Sequence, residues 1–132
     1  MAYRDRLLTC PRCGKPLDQK GRRERWPCRT CNGVAVEVIE VLRLLARVVP
    51  DHTGHGLDTP DRTPHETPLI CAACGQPMRP VELQGVALDR CEKDQLLWFD
   101  ATELDRVIDS AIADHESRKG WARKLRDLLF AN

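Results

Sequence analysis

Seven cysteines fall into one pattern that occurs twice, and this pattern limits what the chain can fold into. The first copy reads Cys10-Pro-Arg-Cys13-Gly14, followed by Cys28-Arg-Thr-Cys31. The second reads Cys71-Ala-Ala-Cys74-Gly75, followed by Cys91-Glu-Lys-Asp94. A C-x-x-C pair brings two thiolates to one point from a tight turn, and two such pairs close a tetrahedral zinc site. The first copy supplies four thiolates. The second supplies three, with Asp94 in the fourth place.

A chain of 132 residues has room for one ordinary domain or two small ones. Aromatic residues make up only 5% of it. Units of about 50 residues bury too little surface to fold comfortably alone. Structural zinc contributes about 10–16 kcal/mol in small peptides at neutral pH, enough to close that gap. The cysteines therefore read as folding nuclei. A disulfide scaffold fits less well, because the cysteine count is odd and Met1 to Cys10 is short and charged, unlike a secretory leader. The expected compartment is a reducing cytoplasm. The most apolar run, Val34 to Val49, contains Glu37, Glu40, Arg43 and Arg47, so no membrane span and no membrane partner are expected.

The repeat extends beyond the cysteines. Pro16 and Leu17 match Pro77 and Met78. Farther on, Glu40-Val41 matches Glu103-Leu104, and Leu44, Leu45, Val48 and Val49 match Val107, Ile108, Ala111 and Ile112. Such a repeat implies two similar folded units. Each reads as knuckle, strand, turn, strand, knuckle, helix. Lys20-Gly21 and Gln84-Gly85 are the turn signals, and Val81, Leu83, Val86 and Leu88 alternate as strands do. Asp100 with Glu103 forms a capping-box-like helix start. Leu104, Val107, Ile108, Ala111 and Ile112 follow as an apolar stripe. Pro50 ends the first helix, and Pro50, Pro60, Pro64 and Pro68 mark an extended linker. A last helix is expected after Gly120, with Trp121, Leu125, Leu128 and Leu129 on one face. Trp98 reads as a core residue, while Trp26 is open to either a core or a surface role.

The string C-x-x-C-G-x-P-M from Cys71, then Leu88-Asp89-Arg90-Cys91, then Trp98-Phe99-Asp100-x-x-Glu103-Leu104, resembles the bacterial zinc ribbons of the transcription-factor-IIB type. Residues 10–45 resemble the same family more weakly, with Ala35 at the tryptophan position. The resemblance implies a small, metal-stabilised α+β fold. It would contain two tandem zinc ribbons of short antiparallel strands, each followed by an amphipathic helix, plus a C-terminal helix. The units so drawn are 1–49, ribbon one with its helix; 50–68, the proline-rich linker; and 69–132, ribbon two with the C-terminal helices. Gln95 and Leu96 stand where the family has two glycines, which suggests that the second knuckle of unit two has relaxed.

The candidate metal ligands are Cys10, Cys13, Cys28 and Cys31 for one Zn2+, and Cys71, Cys74, Cys91 and Asp94 for a second. For the second set three readings compete: zinc closed by the Asp94 carboxylate, zinc closed by water or by His65 or His115, and a metal-free remnant. A closed site is structural, and no enzyme activity is expected. The deaminase signature lacks its H-x-E half, and no Ser-His-Asp set or phosphate loop is present. The histidines of the linker read as solvated.

Residues 1–49 carry eleven Lys/Arg against five acids, and residues 50–132 carry ten against fifteen, so the halves are +6 and −5. A four-thiolate zinc site would lower the first figure to about +4. Lys20, Arg22, Arg23 and Arg25 cluster on the first hairpin as candidate phosphate contacts, with a solvated hairpin tip as the bland alternative. The expected function is a zinc-binding protein-interaction module, with a homodimer through the helix stripes as one form of partnership. The alternatives are nucleic-acid binding through the basic first ribbon and a thiol redox switch that releases zinc on oxidation.

Overall fold

A computed structural model describes residues 7–18, 25–48 and 68–130, without the side chains of 117–126 and 130. Its elements in chain order are β1 (Arg25–Pro27), β2 (Val34–Glu37), α1 (Val38–Val48), β3 (Arg79–Leu83), β4 (Val86–Cys91), β5 (Leu96–Phe99) and α2 (Glu103–Phe130). The linker up to residue 67 and Lys20-Gly21 lie outside the described residues. All five strands form one antiparallel sheet in the order β1-β2-β5-β4-β3, so the sheet runs through both units.

The β3–β4 hairpin follows its sequence signal. Leu83 pairs with Val86 across a two-residue loop, Gln84-Gly85, and both loop residues have positive φ, 51° and 75°. That is the type I′ geometry, whose twist matches paired strands. Ser110 Oγ, on α2, donates to the Gln84 carbonyl at 3.0 Å and ties the hairpin to the helix.

The sequence reading places two strands in each unit. The structure has a further strand after each second knuckle, β2 in unit one and β5 in unit two, and these two strands join the units. In the β2–β5 ladder Ala35 pairs with Trp98, Val34 with Phe99 and Val36 with Leu97. Ala35 and Trp98 occupy the same position in the two copies, so the repeat is arranged about a local pseudo-twofold axis through this pair. The packing is not symmetrical. A Cβ at Gly33 would lie 2.4 Å from Cζ2 of Trp98, so glycine and Ala35 together leave the room that one indole fills.

The sheet has a core on each face. One face carries Val36, Val81, Leu83, Val86, Leu88, Leu97 and Phe99, covered by Val41 and Leu45 of α1 and Val107 and Ala111 of α2. The other carries Trp26, Ala35, Leu96 and Trp98, covered by Leu8, Leu17, Met78 and the buried cysteines of the knuckles. All four residues of β5 are buried because both faces of that strand are covered. Trp98 and Trp26 are both core residues.

One helical expectation is corrected. The sequence places a helix boundary at Gly120, but α2 runs unbroken through it to Phe130. A single glycine inside a helix costs only about 1 kcal/mol, too little to force a break. Leu128 and Leu129 are exposed, and Trp121 and Leu125 fall among the side chains outside the described set. The start of α2 follows the expected capping logic: Glu103 Oε2 accepts the Asp100 backbone N–H at 2.8 Å.

Candidate metal centres

Both first knuckles are built alike. Gly14 N donates to the Cys10 carbonyl at 2.9 Å, and Gly75 N donates to the Cys71 carbonyl at 3.1 Å. Each glycine has a φ near the left-handed region, 76° and 75°, which lets the chain reverse directly after the second cysteine. Backbone N–H groups then turn toward sulfur. Arg12 N and Cys13 N point at Cys10 Sγ from 3.3 and 3.4 Å, and Ala73 N points at Cys71 Sγ from 3.4 Å.

The second knuckles also match. Cys31 N lies 3.4 Å from Cys28 Sγ, and Asp94 N lies 3.5 Å from Cys91 Sγ. Asn32 and Gln95 hold the same left-handed conformation, with φ of 60° and 55°. The turn in unit two has therefore not relaxed, against the sequence expectation. Gln95 pays for its positive φ with two side-chain hydrogen bonds, donating to the Glu92 carbonyl at 2.5 Å and accepting from Arg90 at 2.7 Å.

These turns assemble two donor sets. One is Cys10, Cys13, Cys28 and Cys31; the other is Cys71, Cys74, Cys91 and Asp94. Within each set the ligand atoms lie within 4.8 Å of one another. Cys13 and Cys28 sulfurs are 3.6 Å apart, as are those of Cys74 and Cys91. Asp94 Oδ2 is 3.6 Å from Cys71 Sγ and 3.7 Å from Cys91 Sγ. A tetrahedral zinc bound at about 2.3 Å to sulfur and 2.0–2.2 Å to oxygen has ligand–ligand edges of roughly 3.5–3.8 Å. The separations of 3.6 and 3.7 Å match those edges. The shorter zinc–oxygen bond takes up part of the extra length of the aspartate side chain. Among the described residues His115 does not belong to these sets, and His65 lies outside the described residues.

Burial pushes the Cys10, Cys71 and Cys74 thiols up. Cys31 is pushed up to about 12, first by its hydrogen bond with Cys13 and then by burial. Cys13 is exposed and drops to about 7, chiefly through a hydrogen bond from the Lys15 backbone. Most of these thiols hold their protons at neutral pH when no metal neutralises them. Zinc binds thiolates, so its uptake releases protons and its affinity falls as pH falls.

The basic cluster is only partly described. Lys20, Arg22 and Arg23 lie outside the described residues. Arg25 pairs with Glu40 on α1 at 3.4 Å. Sequence reasoning had no signal for a different pair, Arg12 with Asp100. Arg12 Nε and an Arg12 terminal nitrogen donate to the two Asp100 oxygens at 2.8 and 2.6 Å. Asp100 Oδ1 also accepts the Trp98 indole N–H at 3.0 Å.

Asp94 is expected to set the strength of the second centre. A hard oxygen among soft sulfurs binds zinc less tightly than a fourth sulfur would. In a chelator titration followed by metal analysis, site two empties before site one. Asp94→Ala weakens zinc at site two by more than roughly tenfold, the size of losses seen for ligand-supporting residues alone. Asp94→Cys tightens it, since the turn already matches that of the four-thiolate site. Equal affinity in Asp94→Ala and the parent chain would show that the carboxylate does not bind the metal.

Comparison with known proteins bears on the second unit. A family model described as a transcription factor zinc-finger, the zinc ribbon of the transcription-factor-IIB type, matches residues 70–110. No curated protein and no solved structure matches the chain. The ribbon match and the two donor sets together support zinc binding. The match begins one residue before Cys71, takes in all four donors of the second centre and ends inside α2. Residues 70–110 thus match the zinc ribbon of the transcription-factor-IIB type, which supports that reading for the second unit.

Proposed function

We propose that this chain is a non-catalytic protein-interaction module whose two zinc ions serve structure. Four protein donors at each centre leave no coordination position for a substrate, which supports a structural role for the metal. The observation that carries the interaction reading is a cleft of about 510 Å³ between the two first knuckles, where Leu7, Pro11, Ile70, Ala72 and Ala73 line the wall together with Thr9 and the ligands Cys10, Cys71 and Cys74. Leu7 and Ile70 stand at its rim, 73% and 53% exposed. Exposed apolar side chains gathered at a cleft mark interaction surfaces more often than scattered ones do. Among the described residues no helix is long and apolar enough to cross a membrane.

The nucleic-acid alternative is less well supported. Arg12, Arg25, Arg29 and Arg79 each pair with a carboxylate of the same chain, which lowers the charge they offer to phosphate. Two assays separate the readings. Capture from native cell extract should return a protein whose binding is lost in Leu7→Asp/Ile70→Asp while zinc content is unchanged. A gel-shift titration at low salt should show no tight complex with random DNA or RNA. A complex that weakens steeply with salt and disappears in Arg22→Glu/Arg23→Glu/Arg25→Glu would instead establish the nucleic-acid reading.

A further inference from the structure

We propose that the two metal centres are energetically coupled, so that metal bound at one tightens binding at the other. Four links join them, each seated on or beside a knuckle. Thr9 N donates to the Ala72 carbonyl at 3.1 Å, so the residue before Cys10 is hydrogen-bonded to the residue after Cys71. Arg12, between Cys10 and Cys13, forks onto Asp100 at 2.8 and 2.6 Å. Gly33, two residues after Cys31, lies against the Trp98 ring. Gln95, directly after Asp94, accepts the backbone N–H of Val38, the first residue of α1, at 2.9 Å.

The strands carry the same message. β2 leaves the second knuckle of site one, β5 leaves that of site two, and they pair with each other. A strand of four residues has little stability by itself. Metal at site one orders the turn that launches β2. That strand, with Gly33 and Arg12, then forms the surface against which β5, Trp98 and Asp100 pack. The knuckle holding Cys91 and Asp94 meets metal already in its bound conformation, and less ordering free energy is spent on binding. Linkage makes the effect reciprocal: whatever factor site one confers on site two, site two confers on site one. The Asp94 oxygen still makes site two the weaker centre. Its loss then weakens the stronger one.

The test uses the full chain and cobalt(II). In the parent chain and in Arg12→Ala its absorption separates four-sulfur from three-sulfur, one-oxygen ligation. In Cys28→Ser, where both sites offer three sulfurs, the added Asp94→Ala change identifies the site-two signal. Site-two affinity is measured in the parent chain, in Cys28→Ser, and in Arg12→Ala, which keeps all eight donors. Cys28→Ser is expected to lower site-two affinity by between about 5- and 150-fold, the usual range of coupling. Cys91→Ser should lower site-one affinity by the same factor. Arg12→Ala should lower site-two affinity by a smaller factor, and should change nothing further in the Cys28→Ser background. Unchanged site-two affinity in Cys28→Ser overturns the proposal. Where Cys28→Ser no longer folds, Arg12→Ala decides: weakened site-two binding upholds the coupling, and an isotherm identical to the parent chain's overturns it.

Discussion

Replacing Cys28 by serine costs the first centre most of its zinc affinity and, once that metal is lost, unfolds the strands of unit one. The substitution is nearly isosteric, so the loss is one of bonding rather than of packing. Cys28 is buried, with 2% of its surface exposed, and its backbone N–H donates to the Gly33 carbonyl at 2.9 Å. Its sulfur receives the Cys31 N–H and faces Cys13. It therefore holds together both knuckles of site one. Structural zinc contributes on the order of 10–16 kcal/mol in small peptides, while whole domains are stable by only about 5–15 kcal/mol. One lost centre exceeds what the apolar contacts of unit one can supply. Circular dichroism with metal analysis reads the result directly. A Cys28→Ser protein with parent-like ellipticity and one zinc per chain would show that the sheet stands without its first metal.

Trp98→Ala is the largest change expected away from the ligands. Trp98 is 1% exposed and sits at the pseudo-twofold axis, facing Ala35 across the ladder and Gly33 above the ring. Gly33 and Ala35 have no bulk with which to refill the space, so the cavity stays open. Truncation of a buried tryptophan costs about 3–5 kcal/mol when the surroundings cannot collapse. Asp100 also loses the indole N–H, although Arg12 still holds it. The zinc-loaded variant should unfold at a markedly lower urea concentration than the parent with an unchanged denaturant slope. A midpoint within error of the parent's would mean that the contact between the units does not depend on this ring.

The repeat, the two donor sets and the Gln84-Gly85 hairpin were legible in the sequence because each is a local property. A C-x-x-C-G turn brings its two sulfurs together through its own backbone, whatever surrounds it. The Asp100–Glu103 helix start is local in the same way. The turn at Gln95 was not legible, because what offsets a left-handed glutamine is its pair of hydrogen bonds to Glu92 and Arg90, which no spacing rule records.

What the chain alone determined is thus where metal can be held: eight donors in two tight turns per site, and two amphipathic helices with faces to bury. What only the tertiary structure decided is that the two ribbons share one sheet. β2 and β5 are four residues each. β5 reads Leu-Leu-Trp-Phe and is apolar on both faces, so it shows none of the alternation that announces a strand. Its partner lies in the other copy of the repeat, across the linker, and sequence periodicity contains no term for contacts at that separation. The Ala35–Trp98 pairing also depends on shape, since any side chain at Gly33 would run into the indole.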